Sequence, residues 1–355
     1  MSEIVARPAK VGNPKWGAVF GRSMAAGPLT LEPIDLAMLR AMYRDGGVNL
    51  AGHDPRLNAN RVAQTLRVGR GTVVARLRWW KESGFLRRYT VWPNPAMLGW
   101  QGAGLSVRLS SPRDKPAFLS QVGLVDGVVT AIEFLGSWIT LGLIAPDPAT
   151  LQRRTELIRH LGNVAEVEGP LPWRVPETGG KLSSLDLRIV RSLRDRPSST
   201  LSEVAHRVGI STRTMTRRYA HLVRDWSVWF IPVFNFRALA NPVVWVQAKL
   251  RSSQARDELV ALVRKHYPLT LPSLIMIESP PEAGMEVAMV TALPTMAAYD
   301  DLDRLVASQP GVKESEILVM VEVHDFHGGI DQMLGSVALP GGWPASSLKR
   351  RPHLP

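Results

Sequence analysis

Two stretches of this chain carry the same helix-turn-helix pattern, and an internal repeat decides an architecture before any other feature does. The clearer copy occupies residues 202–222, SEVAHRVGISTRTMTRRYAHL. Its first helix has an apolar stripe at helical spacing, formed by Val204, Ala205 and Val208. Gly209 then breaks the helix, and Ser211 supplies a hydroxyl that caps the next one. The spacing predicts two helices joined by a short turn.

The second helix of this copy separates an inward face from an outward face. Its inward stripe consists of Met215, Tyr219 and Leu222, at i, i+4 and i+7. The candidate DNA contacts are Ser211, Thr212, Arg213, Thr214, Thr216, Arg217 and Arg218. Residues 204–224 contain five arginines and no acidic residue, so nothing on this face would repel phosphate. The alternative interpretation is a solvated helical hairpin with incidental arginines.

The earlier copy lies 142 positions upstream, where Val62-Ala63 matches Val204-Ala205 and Arg76 matches Arg218. Its inward stripe consists of Val73, Leu77 and Trp80. Its candidate DNA contacts are Arg70, Thr72, Val74, Arg76 and Arg78, with Arg87 and Arg88 in the extended stretch that follows. That stretch is either a wing on the phosphates or an ordinary basic strand. Residues 61–88 hold eight basic residues and one acidic residue, which concentrates positive charge on the motif.

Composition excludes several classes of protein. A chain of 355 residues with 45% apolar content can bury several cores. The absence of cysteine excludes disulfides, thiolate metal sites and a cysteine nucleophile. No apolar run approaches the roughly 18 residues of a membrane span, and no signal-peptide pattern is present, so we expect a cytoplasmic protein. The 43 basic and 31 acidic residues give a net charge of +12, which favours polyanionic partners.

After each motif, the periodicity follows the order β-α-β-β-α-β. The first set has predicted strands at 103–109, 128–134, 138–145 and 164–168, and helices at 115–122 and 148–161. The second has predicted strands at 243–250, 274–277, 286–290 and 317–323, and helices at 255–266 and 295–308. This order is typical of a ferredoxin-like sheet with both helices on one face.

The predicted fold class is α+β, with two copies of a winged helix-turn-helix followed by a ferredoxin-like β-α-β-β-α-β sensor module. The first half comprises a flexible basic arm at 1–28, a helix-turn-helix domain at 29–95 and a sensor module at 96–170. The second comprises a linker at 171–181, a helix-turn-helix domain at 182–236, a sensor module at 237–335 and a disordered tail at 336–355. The first copy also has a glycine-rich insertion at 45–55.

This organisation resembles the leucine-responsive (Lrp/AsnC) family of bacterial and archaeal transcription regulators. In the first half the resemblance rests on Ile34-Asp35, Ala63, Thr72-Val73, Arg76-Leu77 and Gly84-Phe85-Leu86. In the second half it rests on Leu185-Asp186, Val204-Ala205, Gly209-Ile210-Ser211, Thr214-Met215 and Arg218-Tyr219. The family normally carries one such unit per chain, so this chain resembles a tandem duplication. Gly69 stands where the family has a capping serine. Trp226 stands where the family has a turn glycine, so we expect the wing of the second unit to be built differently.

The resemblance implies a regulator that binds double-stranded DNA and assembles as a homo-oligomer, and the lack of a long apolar run predicts no membrane partner. It also implies an amino acid or other small effector at a glycine-containing turn between the second and third strands of the sensor module. Gly136, Ser137 and Trp138 occupy that place in the first module. The alternative there is a hairpin with a packed indole. Residues 279–284 occupy the corresponding place in the second module, but their sequence does not resemble that of this turn.

One relative of this fold is enzymatic, the siroheme decarboxylases, which also join a helix-turn-helix-like unit to an AsnC-like sheet. Such an enzyme would need histidine and arginine in the sensor strands to handle a tetrapyrrole, and residues 134–143 and 275–290 contain neither. We therefore expect a regulator rather than an enzyme, and no cofactor. The histidines of the sequence His324-Asp325-Phe326-His327 lack a partner motif, which predicts a solvated turn rather than a metal site.

Overall fold

A computed structural model of the protein describes residues 29–42, 59–173, 181–197, 199–271 and 285–336. Several sequence-based predictions lie outside these residues and stay predictions. They are the basic arm at 1–28, the insertion at 45–55, the strand at 274–277 and the tail beyond 336, with most of the linker.

The first helix-turn-helix unit (unit 1) consists of α1 (Pro33–Met42), α2 (Ala59–Leu66) and α3 (Arg70–Glu82). Val73 and Trp80 of the predicted stripe are fully buried. The Asp35 carboxylate, also fully buried, accepts hydrogen bonds from Nε of Arg76 and Nε1 of Trp80, each at 2.8 Å. A buried carboxylate needs such partners. This pairing fixes α1 against α3.

The second unit (unit 2) consists of α6 (Ser184–Asp195), α7 (Leu201–Val208) and α8 (Thr212–Arg224). All three helices begin at a hydroxyl cap, supplied by Ser183, Thr200 and Ser211. The predicted stripe of Met215, Tyr219 and Leu222 is buried. Asp186 lies 3.5 Å from Nη1 of Arg218, so the ion pair between first and third helix occurs in both units.

Two turns have the same backbone conformation in both units although their residues differ. Arg67 has a φ of 54° where Gly209, 142 positions later, has 75°. Trp226 has a φ of 56° where Gly84, 142 positions earlier, has 75°. Left-handed φ values are unfavourable for residues that carry a Cβ. Trp226 therefore replaces the turn glycine without changing the backbone conformation of this turn.

The strands that follow the two units pair with each other. β1 (Leu86–Pro93) and β6 (Val228–Phe234) form an antiparallel two-stranded sheet, with Leu86 opposite Phe234 and Pro93 opposite Val228. We call this sheet the ribbon. Each strand is thus paired with the strand of the other unit, and the ribbon joins unit 1 to unit 2.

Module 1 has the predicted ferredoxin-like order. It consists of β2 (Gln101–Leu109), α4 (Lys115–Val122), β3 (Val128–Phe134), β4 (Trp138–Ala145), α5 (Pro148–Arg159) and β5 (Val164–Pro172). Its strand order is β5-β2-β4-β3. Alternate residues of β2 such as Leu105 and Val107 pack beneath Phe118 of α4 and Ile158 of α5. Both helices therefore cover one face, and the opposite face is the open face.

Module 2 repeats this order and extends the same sheet. It consists of β7 (Val243–Leu250), α9 (Ser253–His266), β8 (Thr270–Leu271), β9 (Met285–Ala292), α10 (Ala298–Ala307) and β10 (Val312–Asp325). Its strand order is β10-β7-β9-β8. The end of β10 also pairs antiparallel with β3, Met320 lying opposite Phe134. The two modules therefore form one eight-stranded sheet.

Each helix-turn-helix unit packs against the module of the other half. Leu31 and Leu39 of unit 1 line a small apolar cavity of about 30 Å³ with Val243 and Val290 of module 2. The core of unit 2 is continuous with Val129 and Ile144 of module 1, together with a helix that the sequence did not predict. The described helices include none that combines the length and hydrophobicity of a membrane span.

The unpredicted helix is α11 (His327–Gly335), which follows β10 directly. It buries Ile330, Met333 and Leu334 in the core shared by unit 2 and module 1. The solvated turn predicted at 324–327 is therefore wrong, because His324 lies in β10 and His327 begins α11.

Candidate nucleic-acid interface

The outward face of α8 is exposed and basic. Ser211 caps the helix by accepting a hydrogen bond from the Thr214 amide at 3.2 Å. The exposed side chains on this face are Thr212, Arg213, Thr216 and Arg217, whereas Thr214 and Arg218 are partly buried. Among the residues that the structure describes, none forms an ion pair with Arg213 or Arg217, so both guanidinium groups remain available for a partner.

The basic face continues toward the C-terminal end of α8. Arg217, Arg218, His221 and Arg224 line a groove of about 430 Å³ with Ala220. Asp225, just after the helix, accepts from Nε of Arg224 at 2.7 Å and contacts Nδ1 of His221. The hydrogen bond from Arg224 and the charge of His221 lower the pKa of Asp225. Uncompensated charge is therefore concentrated in the N-terminal half of α8.

The corresponding face of α3 is smaller. Arg70 and Arg78 are exposed, whereas Thr72 and Val74 are partly buried. Gly69, which precedes the helix, provides no side-chain cap, as the sequence predicted. α3 and α8 therefore offer unlike sets of side chains in the same position of the motif.

Arg76 and Arg218 hold the recognition helices in place within their units. Arg76 is bound to Asp35, and its guanidinium carbon lies 4.2 Å from the centre of the Trp79 ring. Its side chain is 16% exposed, against 38% for Arg218, which leaves Arg218 the more accessible of the two.

Arg87 and Arg88 lie on the ribbon, where they face the end of β10. Arg87 pairs with Glu322, and Nη2 of Arg88 lies 3.4 Å from Asp325. Both guanidinium groups are about half exposed. In this arrangement the two arginines connect the ribbon to the eight-stranded sheet.

The turn predicted as an effector site is a tight hairpin connection. Gly136 has a φ of +83°, and the Ser137 carbonyl accepts a hydrogen bond from Leu109 at 3.0 Å. Trp138 is partly buried against the core that contains Ile132 and Trp245. The structure thus brings the three residues together in one turn, with the indole packed against that core.

A cluster of charged residues lies where β3 meets β10, and His324 is the one member that the sequence analysis considered. Glu133 and Glu322 are directly opposite each other and are both 8% exposed. Nε2 of His324 lies 3.3 Å from Glu133, which completes a set of ligand atoms within reach of one metal ion. The partners come from positions almost 190 residues apart, so no local motif could reveal them.

Cations of the protein already neutralise this cluster. Arg237 donates to Glu133 at 2.9 Å, and the other two cations beside the carboxylates are Lys115 and Arg87. The hydrogen bond from His324, with the charges of Arg237 and Lys115, lowers the pKa of Glu133. Three cations against two carboxylates favour an ion-pair joint between the modules over a metal site.

Sequence reasoning also missed an indole on the open face of module 1. Trp173, which follows β5, lies over Gly102 and Gly104 of β2 and Gly142 of β4. Alternating glycines inside a strand are a signal of close approach by another group, and QGAGLSV carried that signal.

Comparison with known proteins gives one family match and a set of similar folds. A family model for winged helix-turn-helix DNA-binding domains matches residues 182–225. Curated protein sequences give no match. A solved structure of the siroheme decarboxylase NirDL with an iron-uroporphyrin III analogue is similar at 14% identity and a TM-score of 0.50, over 86% of this chain and 98% of that chain.

Two further solved structures match part of the chain. The Escherichia coli protein AsnC is 20% identical with a TM-score of 0.28, over 39% of this chain and 90% of its own. A Neisseria meningitidis transcriptional regulator in complex with L-methionine is 21% identical with a TM-score of 0.29, over 39% of this chain and 89% of its own.

The comparisons confirm two features of the fold. The matched residues 182–225 contain α6, α7 and α8, so unit 2 is a winged helix-turn-helix domain of a DNA-binding type. The similarity to NirDL extends over most of the chain and confirms the α+β architecture. At this identity the similarity concerns the fold and not the chemistry.

Proposed function

We propose that the chain is a sequence-specific regulator of transcription that binds double-stranded DNA through α8 and α3. The observation that carries the proposal is the N-terminal half of α8, in the unit that matches a DNA-binding family. Its exposed Arg213 and Arg217 have no ion-pair partner among the described residues, and the cap of Ser211 fixes the start of the helix. Arginine in this position of a helix-turn-helix reads guanine edges or binds phosphates.

The proposal includes an origin of the two halves by tandem duplication. Its support is the repeated order of elements, the repeated ion pair of first and third helix, and the left-handed turns 142 positions apart. One chain would then present two recognition helices that differ in sequence. Assembly of chains into larger oligomers, a cytoplasmic location and control by a small effector are further parts of the proposal.

Binding to an operator selected in vitro, followed by fluorescence anisotropy, tests DNA recognition. We expect Arg213→Ala to weaken binding by roughly 1–3 kcal/mol if the arginine reads a base edge, and the affinity of the wild type to fall steeply with salt. Arg304→Ala is a matched control, since Arg304 is an exposed helical arginine of α10, far along the chain. If removing Arg213 and Arg217 together leaves the affinity unchanged, α8 is not the recognition helix.

A tetrapyrrole decarboxylase is the second candidate, favoured by the similarity to NirDL over most of the chain. With Trp173 in place, the cavity on the open face of module 1 measures about 20 Å³, whereas ligand sites usually enclose about 300–1,000 Å³. A tetrapyrrole on this face would therefore have to displace that indole. His324 is engaged with Glu133 at the joint. Mass spectrometry after incubation with siroheme distinguishes the candidates, because loss of carbon dioxide from the substrate would establish the enzyme.

A further inference from the structure

The open face of module 1 has a floor of three glycines. Gly102 and Gly104 lie on β2, and Gly142 lies opposite Gly104 on β4. A Cβ atom added at Gly102 would come within 2.0 Å of the Trp173 ring, and one at Gly142 within 2.8 Å. No side chain larger than glycine is compatible with such an approach. The floor can therefore hold a flat ring in direct contact with the backbone, and we call the space above these three glycines the slot.

Module 2 has no such floor. In its sheet β7 and β9 take the places of β2 and β4, and the residue pair that corresponds to Gly104 and Gly142 is Trp245 and Val290. Both side chains are almost fully buried, so module 2 fills the same space from its own strands. Among the residues that the structure describes, the slot is thus a feature of module 1 and not of module 2.

Trp173 fits the slot by shape but not by polarity. Its ring lies nearly parallel to that of Trp92, with 6.4 Å between centroids and 14° between planes. Its Nε1 is buried and donates to no described residue. An unsatisfied buried donor is destabilising, because it has lost its hydrogen bond to water without replacing it. The residue as a whole is only half-buried, in contrast to Trp245, which is 1% exposed.

Polar groups stand at the edge of the ring. The small cavity beside Trp173 is lined in part by Ser106, Thr140 and Gln247. Thr130 also lines it, but its hydroxyl donates to the His324 carbonyl and its methyl group faces Gly142. The hydroxyls of Ser106 and Thr140 and the amide nitrogen of Gln247 therefore offer hydrogen bonds at one end of a slot whose walls are otherwise flat and apolar. Such a combination suits an aromatic ring that carries a polar group.

We propose that this slot binds one planar aromatic ligand of indole size, and that Trp173 occupies it as an internal competitor in the free chain. Binding of the ring does not depend on the function proposed above. Its consequence for DNA does rest on that function: Trp173 packs against the core of unit 2, and Trp92 belongs to the ribbon. Displacing Trp173 would therefore alter contacts that position α8.

The first test uses the full-length wild-type chain labelled with 5-fluorotryptophan. The ¹⁹F resonance of Trp173 is assigned by its loss in Trp173→Phe, and indole is the titrant. We expect this resonance to move toward the position of an exposed tryptophan in a saturable manner, while that of Trp80, buried in the separate core of unit 1, stays in place. A Trp173 resonance that does not move at the highest indole concentration would overturn the proposal.

Variants provide a second measurement by calorimetry. Trp173→Ala removes the competitor, so indole should bind about tenfold more tightly, or better. Adding Gly102→Val fills the floor and should abolish binding, since the nearest atoms to a Cβ at Gly102 all belong to Trp173, whereas adding Gly162→Val should not, because Gly162 has open space around it. Equal affinity of all three variants would contradict the slot. If Trp173→Ala does not fold, the fluorine titration decides alone.

DNA anisotropy with and without indole separates the two proposals. Indole binding that displaces Trp173 in a chain without DNA affinity would refute the proposed function and leave the slot intact. DNA binding in a chain whose Trp173 resonance never moves would refute the slot and leave the proposed function intact.

Discussion

At the scale of single residues, left-handed turns show how the two units diverge on one backbone. Unit 2 uses Gly209 to end α7, and unit 1 places Arg67 in the same conformation after α2. Arg67 is exposed, and no described residue compensates the strain with an ion pair. Glycine pays no steric penalty there, whereas a residue with a Cβ does.

We expect Arg67→Gly to stabilise unit 1 by about 1 kcal/mol, because the relief of the left-handed strain exceeds the added chain entropy. Gly209→Ala is the matched control in unit 2 and should destabilise by a similar amount. Hydrogen exchange of the amides in α3 and α8 measures both changes. An unchanged exchange rate in the Arg67→Gly variant would show that the turn carries no strain.

The Asp35–Arg76 pair should matter more to stability than its counterpart. Arg76→Ala leaves a fully buried carboxylate without its main partner, which typically costs about 3–5 kcal/mol. Arg218→Ala removes a half-exposed partner at 3.5 Å and should cost about 1 kcal/mol or less. Urea unfolding monitored at α3 and α8 compares the two. Equal losses would contradict the difference in burial.

At the scale of elements, the sequence predicted the bounds of a helix or strand correctly where the apolar residues of that element have their own periodicity. α4, β3, β4 and β7 have the predicted bounds because their apolar residues alternate or recur within the element. α11 was not predicted because its sequence, HGGIDQMLG, has two glycines in the first turn, and glycine is a poor helix former. Its helix depends on packing Ile330, Met333 and Leu334 against unit 2, which lies far away in the sequence.

Arg194 holds α11 in place by hydrogen bonds that depend on a neutral histidine. Its guanidinium donates to Asp331 and to the His327 carbonyl, each at 2.8 Å, and lies 3.0 Å from His327 Nδ1. Arginine only donates, so Nδ1 must accept, which requires an uncharged Nδ1. Burial lowers the pKa of His327; Asp325 opposes this shift, and the Arg194 charge adds to it.

This arrangement predicts a loss of stability on acidification. The unfolded chain takes up a proton near the ordinary His327 pKa of 6.5, before the folded chain does. The stabilisation is thus complete above that pH and declines as the pH falls toward the lowered pKa of the folded state. Hydrogen exchange of α11 between neutral and acidic pH measures it.

His327→Asn is the control for this titration, since its amide oxygen offers Arg194 an acceptor that does not titrate. We expect the pH dependence of α11 exchange to be weaker in this variant. The same dependence in wild type and variant would assign the titration to another group.

At the scale of the whole molecule, sequence predicted the two halves but not how they interlock. Each unit packs against the module of the other half, β1 pairs with β6 in the ribbon, and β3 pairs with β10. These contacts join segments that are distant in the chain, and a single sequence carries no signal for them. Arg87 and Arg88 illustrate the limit. Their exposure on a basic strand was predicted, but Glu322 and Asp325 come from another domain more than 230 positions away.

The interlocked chain places two unlike recognition helices in one molecule. α3 presents Arg70, Val74 and Arg78, and α8 presents Arg213, Thr216 and Arg217. Arginine pairs with guanine, whereas valine and threonine methyl groups favour thymine. If both helices bind DNA as proposed, they would therefore prefer different base edges. A symmetric dimer of single units would instead show the same surface twice.

In vitro selection from random double-stranded DNA tests this claim most directly. We expect the enriched sites to contain two unlike half-motifs, separated by about one helical turn or a multiple of it. A perfectly palindromic consensus would indicate pairing of like units from two chains rather than within one chain. Selection without any enriched sequence would contradict sequence-specific recognition of DNA by this protein.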